Sequence, residues 1–113
     1  MKFNLTRPCA NCPFLAKPQH QGWLGEERAQ DIIEGIVDGQ GTFICHKTDQ
    51  RMQRNQEEQH CAGALIMLER MDRPNQMMRI AGRINQYDPS RLHMDTPNVV
   101  QDGDEFIELH TRL

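Results

Sequence analysis

The chain has 113 residues, of which 37% are hydrophobic and 5% aromatic, with a mean hydropathy of -0.74 and a formal net charge of -3. That length gives a single domain over residues 1–113 with a thin core, and the missing long apolar run excludes a secretory signal and a membrane-spanning helix, so a cytosolic location is expected. Charge alternates in sign along the chain and no long basic run occurs, which excludes strong non-specific nucleic-acid binding.

Residues 1–24 carry Pro8, Pro13 and Pro18 at five-residue intervals and are predicted to form an extended arm and an irregular loop, since proline interrupts a helix. Within it lies Cys9-Ala10-Asn11-Cys12-Pro13-Phe14. A helix is predicted over 26–38, with Ala29, Ile32, Ile33, Ile36 and Val37 on one face, acids in the first turn and Gly39 as its stop. Residues 42–45 form a short β-like run that delivers Cys45, and the almost wholly polar stretch 46–59 reads as an exposed loop or a poorly anchored helix.

A second helix is predicted over 61–70, where Cys61, Ala64, Leu65 and Leu68 recur at helical spacing. A third follows over 75–86 with Met77, Ile80, Ala81 and Ile84 inward and Gln76, Arg79, Arg83 and Gln86 outward. Asp88-Pro89-Ser90 starts a turn, and a short helix over 104–111 carries Phe106, Ile107 and Leu109. The expected fold is mainly α with a short β element, a small domain stapled by a metal centre or an iron-sulfur cluster.

The cysteines carry that expectation. There are four, Cys9, Cys12, Cys45 and Cys61. In a reducing compartment such a set reads as metal ligands or redox groups in preference to structural disulfides. A ligand set that crosslinks the arm, the middle of the chain and a helix start would also supplement a thin core, because binding at an unformed site becomes folding free energy. A partner protein covering part of the surface would serve the same end.

Only one C-x2-C knuckle is present, with 32 residues before Cys45 and 15 more before Cys61. Zinc sites commonly pair two knuckles, whereas the corners of a [4Fe-4S] cubane can be reached from separate elements, so the spacing favours the cluster and leaves zinc as the alternative. Cys61 opens a helix, where backbone N–H groups favour a thiolate. Ala62-Gly63-Ala64 after it is small enough for a cluster, or simply another element, to approach closely.

His46 follows Cys45 and His60 precedes Cys61, which makes both candidates for a hydrogen bond to the centre or for an alternative ligand. His20, His93 and His110 have no partner pattern and read as surface residues. Arg79 and Arg83 read as a solvated helix face, with phosphate or an acidic partner as the other meaning.

Cys9-x2-Cys12-Pro13-Phe14, then Cys45-His46-Lys47-Thr48, then Cys61-Ala62-Gly63-Ala64-Leu65, together resemble a family of small, largely uncharacterised four-cysteine proteins of bacteriophages and bacteria. The resemblance spans residues 9–65 and implies that the four cysteines act together. It implies no activity. In its one C-x2-C and two lone cysteines the spacing is also similar to that of small cluster proteins among actinobacterial regulators.

No nucleophile elbow, phosphate loop or carboxylate cluster supplies a catalytic set. The expectation is therefore a non-enzymatic cluster protein that presents a surface to a protein or nucleic-acid partner. The competitors are a structural zinc module and a small redox protein, either an electron carrier or a thiol oxidoreductase using Cys9 and Cys12.

Overall fold

The computed structural model describes residues 2–9, 11–45 and 58–111. Four α-helices form among them: α1 Glu26–Ile33, α2 Ala62–Arg70, α3 Gln76–Arg83 and α4 Gly103–Thr111. Short 3-10 turns occupy Pro18–His20 and Pro89–Arg91. The radius of gyration, 13.3 Å, matches the value of about 13 Å for one compact domain of this size.

α2 is the axis of the core. Every residue from Ala62 to Leu68 is buried, including Ile66 and Met67, which lie off the face that the sequence spacing selects. A helix apolar all round has to be enclosed on all sides, and here the cysteine loop, the N-terminal arm and the other helices enclose it. α1 packs on α4, where the start of α4 comes so close to α1 that a Cβ on Gly103 would lie 2.7 Å from Ile33 Cγ2.

The predicted helix over 26–38 forms as α1 and then widens into a π-helical turn over Glu34–Asp38, which the Gly39 N–H closes on the Glu34 carbonyl at 2.8 Å. Ala29, Ile33, Ile36 and Val37 are buried as the spacing requires. Gly39, the cap, is glycine for lack of room rather than for a left-handed conformation, since a Cβ there would meet the Gly35 carbonyl oxygen at 2.9 Å. Gln40 takes the positive φ instead.

β structure among the described residues is limited to three isolated bridges. Residues 58–61 lie between two others, pairing parallel with Lys2 through Gln59 and antiparallel with Ile44 through His60. Leu15 pairs antiparallel with Val99. The predicted β-like run over 42–45 contributes one of these bridges, and the predicted polar loop falls mostly on residues 46–57, outside the described residues.

α3 corrects the expected inward face. Met78 and Ala81 are buried, whereas Met77, Ile80 and Ile84 are 39%, 42% and 62% exposed. The helix start sets this rotation. Asn75 is fully buried, accepts the Met78 N–H at its Oδ1 and donates to His60 from its Nδ2, so the face that follows Asn75 by three and six residues turns inward.

Candidate functional site

All four cysteines line one cavity of about 330 Å³, together with Leu5, Arg7, Pro8, Pro13, Phe43 and Ala62. Cys12, Cys45 and Cys61 are buried and Cys9 is half-buried, and none of the four is in a disulfide. Three separate segments deliver them.

Cys9 and Cys12 sit on a tight turn in which the Cys12 N–H donates to the Cys9 carbonyl at 3.1 Å, and a second turn follows as Leu15 N–H donates to the Cys12 carbonyl at 3.0 Å. Cys45 and Cys61 come from the bridged segments. The Cys45 N–H donates to the Gln59 carbonyl and the Cys61 N–H to the Phe43 carbonyl, both at 2.8 Å, so the two cysteines flank the Ile44 to His60 bridge diagonally, one on each strand. Cys61 is then the N-cap of α2.

Gly63, in the first turn of α2, allows the cysteine loop to lie on the helix. A Cβ there would fall 2.6 Å from Cys12 Sγ and 2.9 Å from Phe14 Cβ. The small residues after Cys61 therefore serve a close crossing, and what crosses is the loop that carries Cys12. Phe14 completes the contact by stacking on Phe106 at 4.5 Å and meeting Phe43 edge-on at 5.3 Å.

The Sγ atoms of Cys12 and Cys61 are 3.4 Å apart. The hydrogen bond between the two thiols, then burial, then the charge of the Cys12 thiolate, push the Cys61 thiol well above its ordinary range. No full cap hydrogen bond reaches Cys61, but the amides of Gly63 and Ala64 oppose the effect in part. With nothing but the other sulfur beside it, the arrangement favours the neutral thiol at Cys61.

Two histidines that read as surface residues are buried and hold the cysteine loop. His110, fully buried on α4, donates from Nε2 to the Pro13 carbonyl at 2.8 Å and accepts the Leu24 N–H at Nδ1. His20 donates from Nδ1 to the Leu15 carbonyl at 2.7 Å and stacks under Trp23. Burial lowers the pKa of His110, with the Pro13 hydrogen bond acting against it. His93 is half-buried, with both ring nitrogens within 3.5 Å of the Arg7 guanidinium.

Arg70 fixes the loop from the other side. It donates to the carbonyls of Met94, Thr96 and Val99, and the segment so held binds the cysteine loop through Ala16 N–H to Asn98 O and Val100 N–H to Phe14 O. Neither these histidines nor Arg70 stands out in the sequence, because each acts on backbone carbonyls supplied by the fold.

His60 is fully buried, and both its ring nitrogens are engaged. Nδ1 donates to the Cys61 carbonyl at 3.1 Å, and Nε2 accepts from Asn75 Nδ2 at 2.9 Å. The ring touches the cysteine set through the Cys61 backbone. Desolvation holds its pKa down near 4, partly offset by the Cys61 hydrogen bond. His46 lies outside the described residues.

Among the described residues no three His, Cys, Asp or Glu side chains are grouped as the ligands of a single metal ion. The four cysteines share the lining of one cavity without forming such a group. A small, mainly helical domain with four cysteines around one cavity is the class that the fold and site define. The chain belongs to DUF6283, a family of unknown function, whose profile matches residues 4–112. No curated protein and no solved structure matches it.

Proposed function

We propose that this chain is a small iron-sulfur protein in which Cys9, Cys12, Cys45 and Cys61 hold a [4Fe-4S] cluster, and that it works as a non-enzymatic interaction or regulatory module toward a protein or nucleic-acid partner. The observation that carries the reading is the single cavity of about 330 Å³ lined by every cysteine of the chain. The donor set is the one such clusters take. Gly63 leaves the approach of the loop to the helix open where any Cβ would fill it.

A bound cluster would supply one-electron chemistry and a fourfold crosslink. The chain's own residues supply the rest. The turn over Cys9 and Cys12 presents two sulfurs from one loop, and His110 and His20 hold that loop's carbonyls. His60 orients the Cys61 backbone, and Phe43 with Leu5 adds apolar surface to the lining.

One observation favours zinc as the second reading. A tetrahedral zinc with Zn–S bonds of about 2.3 Å spaces its sulfurs by about 3.8 Å, and the 3.4 Å between Cys12 and Cys61 is near that. Metal analysis after anaerobic purification separates the two. The cluster reading expects brown protein with iron and sulfide in equal amounts, about four of each per chain. One zinc per chain without iron transfers the site to a structural zinc module, and protein carrying neither metal sinks both readings.

A further inference from the structure

The sequence suggests Cys9 and Cys12 as the redox-active pair, since they form the C-x-x-C. The geometry points to another one. We propose that Cys12 and Cys61 form the redox-reactive dithiol of this chain, and that a low-molecular-weight disulfide such as glutathione disulfide closes them into a disulfide when the site carries no metal. The inference concerns the cavity of the proposed function but needs only its metal-free thiols.

Three observations carry it. The two sulfurs are already in contact at 3.4 Å, so closing the bond takes a shift of about 1.4 Å to the usual S–S length of about 2.05 Å. The loop bearing Cys12 and the helix bearing Cys61 are pressed together at Gly63, with no intervening side chain. The lining of the cavity reaches solvent beside half-buried Cys9 and exposed Arg7, which gives an oxidant a way in.

The reaction balances in two exchanges. One protein thiolate attacks glutathione disulfide, forming a mixed disulfide and releasing one glutathione thiolate. The second protein thiolate displaces the other glutathione from the mixed disulfide. Two cysteine thiols are oxidised to one disulfide, one glutathione disulfide is reduced to two glutathione, and each released thiolate takes a proton lost by a cysteine. The product removes two of four ligands, so metal uptake becomes conditional on prior reduction.

Chain topology in the unfolded state favours the opposite pairing. Only Ala10 and Asn11 separate Cys9 from Cys12, whereas Cys12 and Cys61 are 49 positions apart, and loop-closure entropy favours the short loop once the fold is gone. A long-range bond formed under native conditions is therefore a signature of the fold.

The experiment treats metal-free, reduced full-length protein, verified by circular dichroism to keep a cooperative thermal transition, with glutathione disulfide, alkylates the remaining thiols and maps the tryptic peptides without reduction. Trypsin leaves Cys9 and Cys12 together in 3–28, because Arg7 and Lys17 each precede proline, while Cys61 falls in 55–70. The expected product is 3–28 crosslinked to 55–70, with fragmentation placing the alkyl group on Cys9. The same treatment in concentrated urea should instead close Cys9 to Cys12.

Cys9→Ser should keep the native crosslink and Cys12→Ser should abolish it, while the wild-type fragmentation decides the matter if either variant fails to fold. A native product closed between Cys9 and Cys12, a crosslink through Cys45, or four alkylated cysteines would overturn the inference. Iron and sulfide analysis is independent of this map, so a failed cluster reading and a failed dithiol are told apart.

Discussion

Replacing Gly63 with alanine places the packing of the cysteine loop under direct test, because two opposing terms act on one methyl group. In an ordinary helix interior Gly→Ala stabilises by about 1 kcal/mol through propensity. At Gly63 the new Cβ would lie 2.6 Å from Cys12 Sγ and 2.9 Å from Phe14 Cβ. A rotamer change cannot relieve the second contact, since a Cβ moves only with its backbone. Overpacking of this kind costs about 1–3 kcal/mol, and two contacts against fully buried neighbours place it near the upper figure.

The net effect expected is about 2 kcal/mol of destabilisation, and so a melting midpoint roughly 8 °C lower for a domain of this size, with loss of the proposed cluster as Cys12 is displaced. Gly82→Ala is the paired control. Its Cβ would meet nothing nearer than the Tyr87 carbonyl oxygen at 3.9 Å, so propensity alone acts and the midpoint should rise by a few degrees, about 0.5–1 kcal/mol. Thermal melts of the purified proteins by circular dichroism, with metal content measured on the same samples, read both. A Gly63→Ala protein that melts at or above wild type and keeps its metal would refute the crossing of loop and helix described above.

Stability should depend on pH through His60. The unfolded side chain takes up a proton below its ordinary value of 6.5, whereas the folded one stays neutral down to about 4, so the unfolded state binds more protons in that interval. Stability should be full above pH 6.5 and fall by roughly 3 kcal/mol as pH drops toward 4, at about 1.36 kcal/mol per pH unit. Urea titrations across that range read the slope, and a His60→Gln protein should lose most of it. Asn75→Ala removes the α3 cap and leaves the buried His60 Nε2 without its donor, which together should cost about 2–4 kcal/mol in the same titration. Cys61→Ser should lose the metal and much of the thermal stability, and a variant with full metal content and wild-type melting would show that four thiolates are not required. Arg79→Ala with Arg83→Ala, on the exposed side of α3, should change stability by no more than about 0.5 kcal/mol each.

Local patterns carried much of the helical structure. The positions of α1, α2 and α4 follow from apolar spacing and flanking glycine or acid, because those signals act within a few residues. The rotation of α3 did not follow. Met77, Ile80 and Ile84 make as good a helical stripe as Met78 and Ala81, and the choice between them falls to Asn75, whose side chain is held by His60 from another part of the chain.

The four cysteines and the C-x-x-C spacing are properties of the sequence alone, and so is the low aromatic content behind the expectation of a thin core. The tertiary structure alone decided that all four line one cavity, that Cys12 contacts Cys61, and that His20, His110 and Arg70 hold the loop between them. The physical reason lies in the range of the forces. Helix propensity and turn chemistry act between near neighbours, whereas a buried histidine or arginine finds its carbonyl only after segments up to 97 positions apart have been brought together. A lone polar side chain carries no mark in the sequence of the backbone group that will satisfy it.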